Sequence, residues 1–192
     1  MKGCFSSQSL TTASETAPLP SEARKSPVDR FVKYVQAVSA LQGRMLLSRI
    51  CILSLLAWVP SVAVGYFGHI LCPAQTNPDI FANKFQFFVG AILAAPLTET
   101  LAMRYAFRFL RKFAQRHVVL AAVSAVLWIP LHAMYAGWGF HAAWPFFVLG
   151  LCYLSLEPLS LWRAIWVTAL IHAACNALSY GLNLVLGFLG LS

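Results

Sequence analysis

Charge is scarce in this sequence. Only 10% of the 192 residues are charged and 59% are hydrophobic, whereas soluble domains carry roughly 25% charged residues. This shortage excludes an ordinary soluble globular domain and indicates an integral membrane protein. The net charge of +8 arises from basic residues that flank apolar runs, a pattern typical of the positive-inside bias of membrane proteins. We therefore expect a lipid bilayer as partner and no nucleic acid.

The familiar metal-binding motifs are missing. The five cysteines form no CxxC pair or other metal-ligand spacing. Their odd number excludes a simple disulfide framework, and structural zinc held by cysteine is not expected. The sequence also contains no HExxH motif and no internal repeat of the kind from which many transporters are built.

Five apolar runs are present instead, and they predict five membrane helices. The runs cover residues 47–71, 85–110, 118–136, 142–156 and 164–189. The fourth is shorter than the ~20 residues that cross a ~30 Å hydrocarbon core, so it is tilted, re-entrant or packed within the bundle. The predicted fold is all-α: a polytopic membrane helical bundle of about five transmembrane helices with a polar intramembrane site.

The segments before these runs differ in composition. Residues 1–30 are rich in Ser, Thr, Ala, Pro and Glu, which predicts a disordered cytoplasmic tail. Residues 31–45 have apolar residues at helical spacing with basic residues between them, which predicts an amphipathic, interfacial segment. Residues 46–192 form the predicted membrane domain. The distribution of Lys and Arg predicts a cytoplasmic N-terminus, and we expect a bacterial inner-membrane protein.

Polar side chains inside the apolar runs mark the candidate site. Glu99 is the only charged residue between Phe85 and Met103, and a carboxylate at that depth must face protein or water. His132 lies in the third run, and His172 and Asn176 lie in the fifth. At ~1.5 Å per residue, all four lie roughly 13–20 Å from the cytoplasmic ends of their spans, which predicts one shared site.

These residue types suit two chemistries. In the first, Glu99 is a general base that activates water with one histidine, while the other histidine and Asn176 stabilise an oxyanion. In the second, Glu99, His132 and His172 bind Zn²⁺ with water in the fourth position. The spacing leaves both open. A structural role in interhelical hydrogen bonding is the alternative for each residue.

Three short motifs resemble those of a known family. They are ETLAMR at 99–104, WIPLH at 128–132 and HAACN at 172–176. In this order, each within an apolar run, they resemble the EExxxR, FxxxH and HxxxN motifs of the CPBP (Abi) family of intramembrane endopeptidases. That family includes the type 2 CAAX prenyl proteases and proteins similar to the lysostaphin resistance protein. The resemblance covers about residues 85–182.

The resemblance implies a role for each matching residue. Glu99 and His132 would activate the attacking water, His172 and Asn176 would stabilise the oxyanion, and Arg104 would orient the carboxylate region. The implied substrate is a membrane-embedded or lipid-modified protein or peptide, of which a prenylated chain is one example. The resemblance leaves Zn²⁺ as an optional cofactor.

Two positions depart from the family pattern. Thr100 stands where the second Glu is expected, and Trp128 replaces Phe. The loss of a carboxylate motivates a second hypothesis, a catalytically weakened or inactive immunity or scaffold protein of the same fold. A small transporter or proton relay using Glu99 and the histidines is a third hypothesis, which the lack of internal repeats disfavours.

Overall fold

The structure is a computed structural model that describes residues 26–38, 40–71, 85, 88–136 and 139–190. Within these residues it is helical and contains no strand, which confirms the predicted all-α class. The six α-helices are α1 (Pro27–Val38), α2 (Gly43–Leu71), α3 (Ala95–Leu110), α4 (His117–Ala136), α5 (Phe140–Leu156) and α6 (Leu161–Phe188). A π-helical segment, Phe88–Ala94, precedes α3. Residues 1–25 of the predicted tail lie outside the described residues.

Two of the described helices are long and apolar enough to cross a membrane, judged by length and composition. They are α2, over Gly43–Phe67, and α6, over Leu161–Phe188. Only 28% and 22% of their most apolar stretches are buried inside the protein. A core helix of a soluble protein would be mostly buried, so these exposed apolar faces support an association with lipid.

Helix α5 lies at the centre of the helical bundle. It contacts α1, α2, α4 and α6, and its residues from Val148 to Leu156 are all buried. A helix that is apolar on every face is stable when other helices surround it. Of the three arrangements considered for the short fourth run, packing within the bundle is therefore the one observed.

A glycine allows this central helix to approach its neighbours closely. A Cβ atom on Gly150 would lie 3.1 Å from Cζ of Phe107 on α3 and 3.2 Å from Cβ of Ala121 on α4. Small residues at such crossings let helix backbones approach and increase van der Waals contact. Gly150 therefore fixes the spacing of α3, α4 and α5.

The sequence predicts one helix over the second apolar run, but the structure does not show a continuous α-helix there. The described part of this run consists of the π-helical segment Phe88–Ala94 followed by α3, which has 16 residues. Pro96 lies in the first turn of α3, where it has no N–H to donate back into the π-helical segment that leads directly into the helix. The proline therefore starts the α-helix, and the wider π-helical turn precedes it.

Helix α1 begins inside the segment predicted to be disordered, residues 1–30. Ser26 and Asp29 cap it reciprocally: the Asp29 N–H donates to Oγ of Ser26, and the Ser26 N–H donates to the Asp29 carboxylate. Val35 and Val38 are buried and α1 packs against α5. The apolar stripe of the predicted interfacial segment, residues 31–45, thus contacts protein, and residues from Gly43 onward belong to α2.

Candidate active site

Glu99 on α3 and His172 on α6 face each other. The Glu99 Oε2 atom lies 3.5 Å from Nε2 of His172, and their side chains are 23% and 7% exposed. This distance is longer than the roughly 2.7–3.2 Å between the donor and acceptor atoms of a usual hydrogen bond. Oε2 is buried and has no hydrogen-bond partner within the described part of the chain. The carboxylate therefore keeps its capacity to accept a proton or a hydrogen bond.

Local hydrogen bonds hold the first turn of α3 around Glu99. The Thr98 hydroxyl donates to the carbonyls of Ala94 (3.0 Å) and Ala95 (3.1 Å), at the junction between the π-helical segment and α3. The Thr100 hydroxyl donates to the Pro96 carbonyl at 2.6 Å. These bonds satisfy carbonyls near the proline and fix the position from which Glu99 projects.

His132 on α4 is connected to His172 through an aromatic side chain of α5. The Phe146 ring lies edge-on to both imidazoles, with centroid distances of 5.0 Å to His132 and 5.3 Å to His172. Phe146 also stacks on Trp128 at 4.4 Å. The sequence gives no signal for Phe146, because it is one of 14 phenylalanines and lies in an apolar run.

The hydrogen bonding of His132 indicates its tautomer. Nδ1 of His132 lies 3.1 Å from the carbonyl oxygen of Trp128. Since a carbonyl can only accept, Nδ1 carries the proton in this interaction and Nε2 is left as the acceptor nitrogen. The ring centroid of His141 lies 6.5 Å from that of His132.

Asn176 is directed towards the π-helical segment. Its Nδ2 donates to the carbonyl oxygen of Ala91 at 2.6 Å. A π-helical turn leaves carbonyls outside the regular α-helical pattern, and this bond satisfies one of them across 85 residues of sequence. One amide N–H of Asn176 therefore links α6 to the π-helical segment. The role of Asn176 in stabilising an oxyanion stays a prediction.

Three further residues of the sequence motifs occupy different environments: Thr100, Arg104 and Trp128. Thr100 is fully buried, so this position faces packed protein. The Arg104 guanidinium lies 5.9 Å from the Tyr105 ring centroid and forms no ion pair with Glu99. Trp128 packs in the aromatic cluster with Phe146 and His132.

The zinc site stays a prediction. Among the described residues, no group of three or more His, Cys, Asp or Glu side chains is arranged to hold a metal ion. Glu99 and His172 lie 3.5 Å apart and are two of the three protein ligands that a catalytic zinc site requires beside its water.

A second acidic residue, which the sequence did not mark, pairs with a base at the other end of α3. Arg111 forms an ion pair with Glu157, and the Tyr153 hydroxyl donates to Glu157 at 3.3 Å. His117, which precedes the predicted third span, lies near this pair. Burial and the charge of Arg111 lower the pKa of His117, and the charge of Glu157 partly opposes them.

Two cavities lie away from the Glu99–His172 pair. One, of about 360 Å³, lies between α2 and α6 and includes His141 in its lining. The other, of about 620 Å³, lies between the starts of α1 and α4 and includes Arg116. Neither is lined by Glu99 or His172, but the first reaches the site's edge because His141 contacts His132.

Comparison of the chain with protein-family models, with curated proteins and with solved structures finds no match in any of the three.

Proposed function

We propose that this protein is an intramembrane endopeptidase that hydrolyses a peptide bond in a membrane-embedded or lipid-modified protein or peptide. The observation that carries the proposal is the contact between Glu99 and His172, 3.5 Å apart and largely buried. A carboxylate inside an apolar bundle is costly to place there and is retained mainly where it functions. Its Oε2 atom has no hydrogen-bond partner among the described residues, as expected of a base that binds water.

The membrane setting is part of the proposal. Five spans would be formed by α2, by α3 with the π-helical segment before it, and by α4, α5 and α6. The end of α3 and the turn that follows it carry a cluster of basic residues: Arg108, Arg111, Lys112 and Arg116. The positive-inside rule then places this turn and the N-terminus in the cytoplasm.

In the proposed reaction, Glu99 removes a proton from a water molecule as the water oxygen attacks the carbonyl carbon of the scissile bond. The developing oxyanion accepts a hydrogen bond from the Nε2–H of His172. The C–N bond then breaks, and the proton held by Glu99 passes to the leaving amine. His132 offers Nε2 as an acceptor that can orient the attacking water.

A second candidate function follows from Thr100. Its side chain is fully buried and its hydroxyl is bonded to the Pro96 carbonyl, so the protein lacks a second carboxylate and has no open space for one at that position. A catalytically inactive immunity or scaffold protein of the same architecture would retain the packing of α3 without cleaving a substrate.

Reconstitution separates these candidates. The purified protein is placed in liposomes with synthetic membrane peptides, including C-terminally prenylated ones, and products are identified by mass spectrometry. We expect cleavage by the wild type and loss of cleavage in Glu99→Ala, His132→Ala and His172→Ala, with Glu157→Gln as a matched acidic control that remains active. Cleavage that persists in the three alanine variants would exclude this site.

Two further arms refine the result. Binding of peptides without cleavage by the wild type would support the immunity or scaffold function. Addition of a strong chelator tests for zinc: we expect cleavage to continue, and a loss restored by Zn²⁺ would show that the site holds a metal.

A further inference from the structure

Two polar atoms on α6 are buried without a hydrogen-bond partner among the described residues. They are Oγ1 of Thr168 and Nδ1 of His172, on residues that are 0% and 5% exposed. The two residues are four apart on one helix, so their side chains lie one turn apart on the same face. The Thr168 hydroxyl is thus the nearest polar side chain of α6 to His172 on the side towards the N-terminus.

Thr168 differs in its hydrogen bonding from three other buried hydroxyls of this protein, and it resembles Ser124, whose Oγ is also buried without a partner among the described residues. Thr100, Ser54 and Ser155 each donate to the carbonyl four residues earlier, at 2.6, 2.8 and 2.6 Å. This is the usual way for a helical Ser or Thr to satisfy its hydroxyl. The Thr168 hydroxyl makes no such bond, so its donor and acceptor capacity remains available to another group.

His172 departs in the same way from the other histidine of the site. Nδ1 of His132 pairs with the carbonyl four residues earlier, that of Trp128. Nδ1 of His172 has no partner among the described residues, while Nε2 faces Glu99. Buried polar groups in proteins nearly always have a partner, which is commonly an ordered water molecule when no protein group is in reach.

We propose that a buried water molecule binds between Oγ1 of Thr168 and Nδ1 of His172. The water donates one hydrogen to Nδ1 and accepts the hydrogen of the Thr168 hydroxyl. This arrangement satisfies both buried atoms and keeps Nδ1 free of a proton. The imidazole proton is then held on Nε2, the nitrogen that faces Glu99.

This arrangement makes Thr168 a positioning residue, which acts through the water and the imidazole without touching substrate. The catalytic consequence rests on the function proposed above, because only the Nε2–H tautomer of His172 donates to the oxyanion. The water site itself does not depend on that function, and it can be tested without a substrate.

The test is nitrogen-15 NMR of full-length protein with labelled histidine, in detergent at a pH where histidine is neutral. The His172 resonances are assigned by their loss in His172→Gln. We expect the Nε2–H tautomer in the wild type and in Thr168→Ser, which retains the hydroxyl. We expect the Nδ1–H tautomer or a mixture in Thr168→Val. An unchanged tautomer in Thr168→Val would overturn the proposal.

Two controls keep this test decisive. Ser155→Ala removes a buried hydroxyl that is bonded within its own helix, and it should leave the His172 resonances unchanged. Thr168→Ala provides a second removal of the hydroxyl if Thr168→Val does not fold. A tautomer change in Ser155→Ala equal to that in the Thr168 variants would show a nonspecific effect and contradict a water site.

A kinetic arm tests the link to catalysis. We expect Thr168→Val to lower kcat with KM unchanged, by less than the ~10²–10³-fold that loss of a whole oxyanion donor costs, and Thr168→Ser to restore it. If the tautomer changes but neither the wild type nor any variant cleaves a peptide, the proposed function fails and the water site stands. If cleavage is measured and the tautomer never changes, the water site fails alone.

Discussion

Two pairs of ionisable side chains lie at opposite ends of helix α3, and they differ. Glu99, Met103, Phe107 and Arg111 recur at intervals of four, so they follow one inclined ridge over about 18 Å, and the two end positions point roughly 120° apart around the helix. Met103 and Phe107 are fully buried between the two ionisable residues. Near the start of the helix Glu99 faces His172, and just beyond its end Arg111 pairs with Glu157.

The two carboxylates differ in how well they are satisfied. Glu157 has a permanently charged partner in Arg111 and a hydrogen bond from Tyr153. Glu99 has only an imidazole at 3.5 Å, and its Oε2 accepts no hydrogen bond within the described chain. A satisfied pair holds helices together, whereas a buried carboxylate with spare acceptor capacity is suited to proton transfer. We infer that the first pair is reactive and the second is structural.

The largest expected effect separates the two pairs by activity. Glu99→Gln and His172→Gln should each lower the cleavage rate by about 10²–10⁴-fold, because each removes a group that acts on the reacting atoms. The double variant should lose little more than the worse single variant, since residues acting as one unit are not additive. Cleavage kinetics in liposomes measure this, and fully additive losses would indicate that the two residues act independently.

The next effect concerns the residue beside Glu99. Thr100→Glu should destabilise the protein by about 3–5 kcal/mol, the usual cost of an uncompensated buried charge, because Thr100 is fully buried. Titration with a denaturing detergent measures the loss, and Thr100→Ser, which retains the hydroxyl, is the control. A stable and more active Thr100→Glu protein would show instead that the site accommodates a second carboxylate.

A smaller effect tests the packing that separates the two pairs. Gly150→Ala should cost about 1–3 kcal/mol through overpacking, because the new Cβ would lie 3.1 Å from Phe107 and 3.3 Å from the Ala121 backbone. Gly181→Ala is the matched control, since no atom lies within 4 Å of its added Cβ. The control should be neutral or stabilising by up to about 1 kcal/mol. Equal losses in both variants would contradict this account of the helix crossing.

The smallest effect concerns the structural pair. Arg111 and Glu157 are 35% and 17% exposed, so a double-mutant cycle of Arg111→Gln and Glu157→Gln should give a coupling of about 0.2–1 kcal/mol. Salt should reduce it, and cleavage by the folded variants should match the wild type. A loss of activity as large as that of Glu99→Gln would place Glu157 in the reactive site.

Much of the helical layout could be predicted from the sequence. Long apolar runs bounded by basic residues predict helices at α2, α4 and α6, and the shortness of the fourth run raised the possibility that it packs within the bundle, as α5 does. Residue types and depth also predict that Glu99 shares a site with His132, His172 and Asn176, and of these the structure places His172 within 3.5 Å of it. In each case the signal is local and depends on hydrophobicity, length or helical period.

Other features depend on contacts between distant residues. The π-helical segment before Pro96 involves a hydrogen bond from Asn176 to Ala91, which no local pattern encodes. Phe146 joins the two histidines because α5 is central, and a phenylalanine in an apolar run carries no mark of that role. The pairing of Arg111 with Glu157 likewise requires the end of α5 to lie beside the end of α3.

Isotope incorporation tests most directly the claim that Glu99 activates water. A peptide that the wild type cleaves is incubated in oxygen-18-labelled water with wild-type protein or with Glu99→Gln, and the products are weighed by mass spectrometry. The account predicts one labelled oxygen in the new carboxyl group for the wild type and no detectable product for Glu99→Gln over the same time. Labelled product formed by Glu99→Gln at the wild-type rate would contradict it.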